Sequence, residues 1–83
     1  MLLALDIGNS DITVGLWKDN AWKHVWRISS RPDLPELYYG VKIRDYFFES
    51  GNAVDQVKTI VLSSVVPAMN DKLKNVSRML FEK

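Results

Sequence analysis

The hydrophobic period of this chain changes after Asp33, and that change limits its fold more than any other feature. From Leu2 to Ser29 apolar residues recur at alternate positions or in short runs, whereas after Asp33 they recur at spacings of three and four on either side of one further β-branched run. The first period belongs to strands and the second to helices. Leu2–Asp6, "LLALD", is an almost continuous apolar run, as in a strand buried on both faces. Ile12, Val14 and Leu16 alternate with Thr13, Gly15 and Trp17, which predicts a second strand. Trp22, His24, Trp26 and Ile28 alternate with Lys23, Val25 and Arg27, which predicts a third. The separators, Gly8–Ser10 and Lys18–Asn20, have turn chemistry. Connections so short make the three strands an antiparallel meander.

Asp33 and Glu36 have the three-residue spacing of a capping box. Leu34, Leu37, Tyr38, Val41 and Phe48 then supply a helical stripe over 34–50, with Gly51 as the stop. Val57–Val66, "VKTIVLSSVV", is β-branched enough for a fourth strand. Pro67 suits the first position of a second helix, and Met69, Leu73, Val76 and Leu80 carry its stripe to about Leu80. The order is β-β-β-α-β-α. A strand–helix–strand unit crosses over right-handed, so the fourth strand should lie parallel to the first in a mixed α/β sheet. "SSRPD", Ser29–Asp33, is the most linker-like stretch and reads as a loop within one domain.

A chain of 83 residues buries only about 60% of its unfolded surface. It has no cysteine, so no disulfide helps and nothing points to secretion. No apolar run approaches the roughly 20 residues that span a bilayer, and residues 1–5 lack the basic start of a signal peptide. The expected location is the cytoplasm. The net charge is +1 with acids and bases interspersed, which gives no electrostatic reason to propose nucleic acid or an anionic membrane as partner.

Asp6, Gly8, Asn9 and Ser10 stand between two stretches that want to be buried. A plain hairpin turn accounts for them. So does a turn built for phosphate, in which backbone N–H groups converge on an anion. Glycine allows the close approach and the positive φ that such turns often need. Asn9 tolerates left-handed geometry, the Ser10 hydroxyl can donate, and Asp6 can hold Mg²⁺ through water. Other residues invite blander readings. His24 lies between two tryptophans and has no Cys or second His with which to bind metal. Trp17, Trp22 and Trp26 read as cross-strand packing before base stacking. Ser63 and Ser64 lack a nucleophile elbow. Lys72, Lys74 and Arg78 read as a solvated helix face.

"DIGNS", Asp6–Ser10, resembles the first phosphate motif of the sugar kinase, Hsp70 and actin superfamily, where it also occupies a β1–β2 hairpin. "LLALDIGNSDITVGLW", "WRIS" at Trp26–Ser29, "YGVKIRDYF" at Tyr39–Phe47 and "SSVVP" at Ser63–Pro67 together resemble the N-terminus of type III pantothenate kinases. These enzymes use ATP to phosphorylate pantothenate in the first step of coenzyme A synthesis. The resemblance implies a ribonuclease H-like (actin-like ATPase) half-domain and the cofactors Mg²⁺, ATP and a monovalent cation, K⁺ or NH₄⁺. It implies ATP and pantothenate as partners of the intact enzyme, and a homodimer. It gives Asp6 the metal-associated role, makes Gly8, Asn9 and Ser10 the phosphate cradle, and makes Ser64, Val65, Val66 and Pro67 the loop beside the nucleotide cleft. The family usually has Thr where Ser10 stands and Asn where Asp11 stands; a second carboxylate there can repel polyphosphate or recruit cation. Family members are also much longer, with two domains of duplicated fold. Residues 1–83 would be one incomplete N-terminal subdomain lacking its last strand. The general base, the pantothenate-contacting arginine and most of the dimer interface would lie beyond Lys83, so no catalytic residue is placed within this chain.

Two other readings share the element order. A ribonuclease H-like nuclease would hold two metals with Asp6 and further carboxylates, for which Glu36 and Glu49 are the candidates. A non-catalytic half-domain would instead self-associate through the unpaired edge of the fourth strand.

Overall fold

A computed structural model describes residues 1–81. Strands β1 (Leu2–Ile7), β2 (Asp11–Lys18), β3 (Ala21–Ser29) and β4 (Thr59–Ser64) form one sheet in the order β3-β2-β1-β4. Helix α1 (Glu36–Ser50) links β3 to β4, and α2 (Pro67–Phe81) follows β4. β1 and β2 pair antiparallel, as do β2 and β3, whereas β4 runs parallel to β1. The meander, the parallel crossover and the mixed α/β class are those expected from the change of period. The fourth strand is shorter than its apolar run. A single 3₁₀ turn at Val54–Gln56 precedes it, and Val65 and Val66 lie beyond its end.

The meander forms because its turns suit it. Asp19 and Asn20 both take positive φ, 54° and 63°, the geometry of a two-residue hairpin whose twist matches the strands. A bulge at Leu16/Trp17 brings Trp17 opposite Trp22, and the two rings meet edge to face at 5.1 Å. Trp26 stacks between His24 at 5.2 Å and Tyr46 at 4.8 Å. The tryptophans and His24 are thus packing residues.

The sheet is covered on one face. Leu3, Leu5 and Ile7 of β1 and Ile12, Val14 and Leu16 of β2 form the core with Tyr39, Ile43 and Phe47 of α1 and Met69, Leu73 and Val76 of α2. The alternate residues of β1 look the other way: Leu2 and Ala4 are half-buried and Asp6 is exposed. β1 is therefore not buried on both faces as its apolar run suggested.

Helix α1 departs from expectation in two ways. Its N-cap is Pro35, which offers no side-chain cap. Asp33 instead pairs with Arg31 at 2.9 Å, and this hydrogen bond holds its carboxyl below the usual carboxylate range. The helix also buries a different face. Tyr39, Ile43 and Phe47 are inside, while Leu37, Val41 and Phe48 are exposed. Gly51 ends the helix as expected, in left-handed geometry with φ 76°. On α2 the expected stripe is the buried one, with Leu80 half-buried at its end. Lys72 is not simply solvated: its Nζ donates to the carbonyls of Pro32 and, at 2.6 Å, Leu34, tying α2 to the loop before α1.

Candidate functional site

Asp6 stands near the carboxyl end of β1, with Thr13 of β2 and Ser63 of β4 as its register partners. All three lie on the uncovered face, so a row of polar side chains crosses three strands there. Among the described residues the Asp6 carboxylate makes no hydrogen bond or salt bridge. It forms one wall of an open cavity of about 330 Å³, lined also by Ala4, Thr13, Gly15, Trp22 and Val25.

The turn after β1 is tightly closed. The Gly8 N–H donates to the Asp11 carbonyl at 2.8 Å. A Cβ on Gly8 would lie 3.1 Å from that same oxygen, a tight contact that the backbone would have to relieve by a few tenths of an ångström. Among the described glycines only Gly51 has positive φ, so the left-handed geometry expected at Gly8 is absent, and its N–H is spent within the turn. The N–H groups of Asn9 and Ser10 have no partner among the described residues. The Ser10 carbonyl accepts the Ser30 N–H at 2.8 Å, which anchors the turn to the end of β3.

The loop after β4 adjoins this turn. Ile7 and Ser64 are register partners, and the Val65 N–H donates to the Ile7 carbonyl at 3.1 Å. The Ser64 hydroxyl accepts the Val66 N–H at 3.0 Å and lies 3.2 Å from the Val66 carbonyl, to which it donates. It is thus occupied in shaping the entry to α2. Pro67 is the first residue of that helix. The structure therefore brings Gly8–Ser10 and Ser64–Pro67 together at one end of the sheet. In open α/β sheets, ligands bind outside the carboxyl ends of parallel strands.

The carboxylates of the nuclease reading do not assemble. Glu36 accepts a hydrogen bond from Asn75 at 2.8 Å, and no group of three or more His, Cys, Asp or Glu gathers among the described residues. A cation at Asp6 would find no cluster of three or more such ligands among the described residues. That fits Mg²⁺, which keeps water and takes its other ligands from phosphate. Sequence reasoning missed Thr13, Ser63 and Ser30 as neighbours of the site, since they arrive by strand register and a long-range hydrogen bond. "WRIS" ended one residue short of Ser30.

Fold and site together define an open α/β protein with a tight polar turn and a free carboxylate at the carboxyl end of its central strand. The model of the type III pantothenate kinase family matches residues 2–83, and the chain belongs to that family. It is 40% identical over 70 residues to the type III pantothenate kinase of Brevibacillus brevis, covering 84% of this chain and 28% of that protein. With the enzyme of Geotalea uraniireducens it shares 35% identity over 81 residues, covering 98% of this chain and 32% of that protein. With that of Geobacter sulfurreducens it shares 32% over 77 residues, covering 93% and 30%. The chain thus spans about a third of the length of the curated relatives it matches. None of its described helices is long and apolar enough to cross a membrane.

Proposed function

We propose that this chain is the N-terminal, phosphate-binding part of an ATP-dependent pantothenate kinase, an enzyme of the first step of coenzyme A synthesis. In this reading residues 1–83 are one actin-like ATPase subdomain of the ribonuclease H-like fold. A second domain supplies the groups that bind pantothenate and accept its proton, and the enzyme works as a cytoplasmic homodimer. The observation that carries the reading is the β1–β2 turn, with two unspent N–H groups, at Asn9 and Ser10, following the strand end that bears the unpartnered carboxylate of Asp6.

Asn9 and Ser10 donate to phosphate oxygens through their N–H groups, and Ser10 adds its hydroxyl. Gly8 contributes by closing the turn around its own N–H. Asp6, a carboxylate without a hydrogen-bond partner among the described residues, repels polyphosphate unless a cation stands between them, so it is the residue that would hold Mg²⁺, through water. When bound, Mg²⁺ neutralises charge on the transferred phosphoryl group. Asp11 adds a second negative charge at the start of β2. The monovalent cation implied by the family is assigned to no residue of this chain. Ser64–Pro67 form the cleft-side loop that buttresses the turn through Val65.

Amide shifts of the labelled chain test this reading. Mg·ATP should move Asn9 and Ser10, with an affinity near millimolar because one wall of a cleft buries little of its ligand. ATP without Mg²⁺ should bind more weakly, and Asp6→Asn should abolish that difference. In a full-length protein carrying this chain, Asp6→Asn should lower kcat by at least about a hundredfold, since a lost charge at a metal-assisted transition state costs several kcal/mol. The 83-residue chain alone should not phosphorylate pantothenate. An RNA–DNA hybrid that moved Asp6 and its neighbours while Mg·ATP did not would overturn the kinase reading in favour of the nuclease.

A further inference from the structure

The β1–β2 turn is held from outside by a chain of contacts that ends on one side chain of α1. The Ser10 carbonyl accepts the Ser30 N–H. Ser30 is itself buried and lies in the short segment Ser29–Arg31 that leaves β3. The phenolic oxygen of Tyr39 grips this segment on both sides of Ser30. It accepts the Arg31 N–H at 2.8 Å, and its O–H lies 3.1 Å from the Ser29 carbonyl and 3.0 Å from the Arg31 carbonyl, shared between the two. Tyr39 is fully buried. A buried hydroxyl is costly unless it is partnered, and every partner of this one belongs to the segment that closes on Ser10. A phenylalanine would fill the core equally well. What the oxygen adds is the shape of Ser29–Arg31.

We propose that Tyr39 is a positioning residue for the β1–β2 turn. By fixing Ser29 and Arg31 it holds the Ser30 N–H against the Ser10 carbonyl. That contact fixes the Ser10–Asp11 peptide, and with it the end of the turn that carries the Asn9 and Ser10 N–H groups. The ligand part of this inference rests on the reading of the turn as a phosphate cradle; the mechanical part does not.

The experiment compares the labelled wild-type chain with Tyr39→Phe and with Tyr46→Phe. Tyr46 also donates to a β3 carbonyl, that of Arg27 at 3.3 Å, but has no link to Ser30, so it controls for loss of a hydroxyl. Amide hydrogen exchange at Ser30 is the first readout and Mg·ATP titration at Asn9 and Ser10 is the second. Tyr39→Phe should speed Ser30 exchange about tenfold relative to core amides, the worth of one net hydrogen bond. It should weaken Mg·ATP binding roughly three- to tenfold, by the same reasoning. Tyr46→Phe should change neither. Unaltered Ser30 exchange in Tyr39→Phe, or equal changes in both variants, would overturn the proposal. A wild-type chain that does not bind Mg·ATP would sink the phosphate reading, while the exchange arm would still decide the role of Tyr39. Should Tyr39→Phe not fold, exchange of the wild-type chain in low denaturant decides instead. Ser30 and Arg31 should then open together as one unit, and a Ser30 amide exchanging as fast as a free peptide would refute the device.

Discussion

Phe47 and Phe48 are neighbours with opposite fates, and substituting each tests the packing of α1. Phe47 is 1% exposed and Phe48 is 87% exposed. The Phe47 ring packs against Phe81, with centroids 5.3 Å apart. Truncating a buried phenylalanine to alanine costs about 3–5 kcal/mol, the lost transfer energy plus the cavity left behind. A domain of this size has a total stability of roughly 4–12 kcal/mol, so Phe47→Ala should remove much of it. With a urea m-value of about 1–1.5 kcal/mol/M, the unfolding midpoint should fall by at least about 2 M. Phe48→Ala removes almost no burial and should stay within about 0.5 kcal/mol of the parent. Urea titration followed by far-UV circular dichroism measures both. If Phe47→Ala does not fold, Phe47→Leu replaces it, with an expected loss of about 1–1.5 kcal/mol. A loss at Phe48 equal to or greater than that at Phe47 would refute the assigned helix face, and with it the position of Tyr39.

Further expectations follow from single contacts. A Cβ at Gly40 would lie 2.7 Å from Met79 Cε, the free end of a flexible, half-exposed side chain that can swing away, so Gly40→Ala should raise stability by roughly 0.5–1 kcal/mol through helix propensity; a thermal melt showing a loss of that size would contradict it. Gly8→Ala meets the Asp11 backbone oxygen instead, and its cost of about 1–3 kcal/mol should come with shifted Asn9 and Ser10 amides; unshifted amides would mean that the turn is slack. The Arg31 hydrogen bond lowers the Asp33 pKa from its ordinary 3.8. Its contribution is therefore present above that ordinary pKa and is lost as pH falls through the lower folded value. Unfolding of Asp33→Asn and of the parent should thus differ by a constant small amount at neutral pH, and the difference should shrink only in acid; a difference that grew in acid would reverse the sign. As one of the two outer strands of the described sheet, β4 can pair with a second copy, and sedimentation at several concentrations should show association; a monomer at high micromolar concentration would dismiss it.

The residues of the site that are adjacent in sequence were legible in it; the rest needed distances along the chain that no pattern carries. "DIGNS" marks the tight turn after the first strand in five letters, and the change of period after Asp33 yields the strand order. The face of α1 was not legible because that helix carries apolar residues on two sides. Leu34, Leu37, Tyr38 and Val41 compete with Tyr39, Ile43 and Phe47 at equally good helical spacing. The choice falls to the second set because the Tyr39 hydroxyl finds its partners in the loop after β3. The expected capping box failed for a similar reason: Arg31 claims the Asp33 carboxylate before the helix can use it.

Register decides what remains, and Asp6 itself helps to set it. With Leu5 opposite Val14 and Leu62, Asp6 must stand between Thr13 and Ser63 on the open face. A slip of one residue would turn Leu3, Leu5 and Ile7 outward and drive Asp6 under the helices. An unpaired carboxylate buried there is costly enough to be excluded, and the described residues offer it no cationic partner in that core. The charge that makes the turn a candidate for phosphate chemistry therefore also locks the strand that presents it. For the same reason Asp6→Asn should loosen register only slightly, because an amide is still a poor core residue, whereas Asp6→Leu would make both faces of β1 apolar and remove the distinction between them.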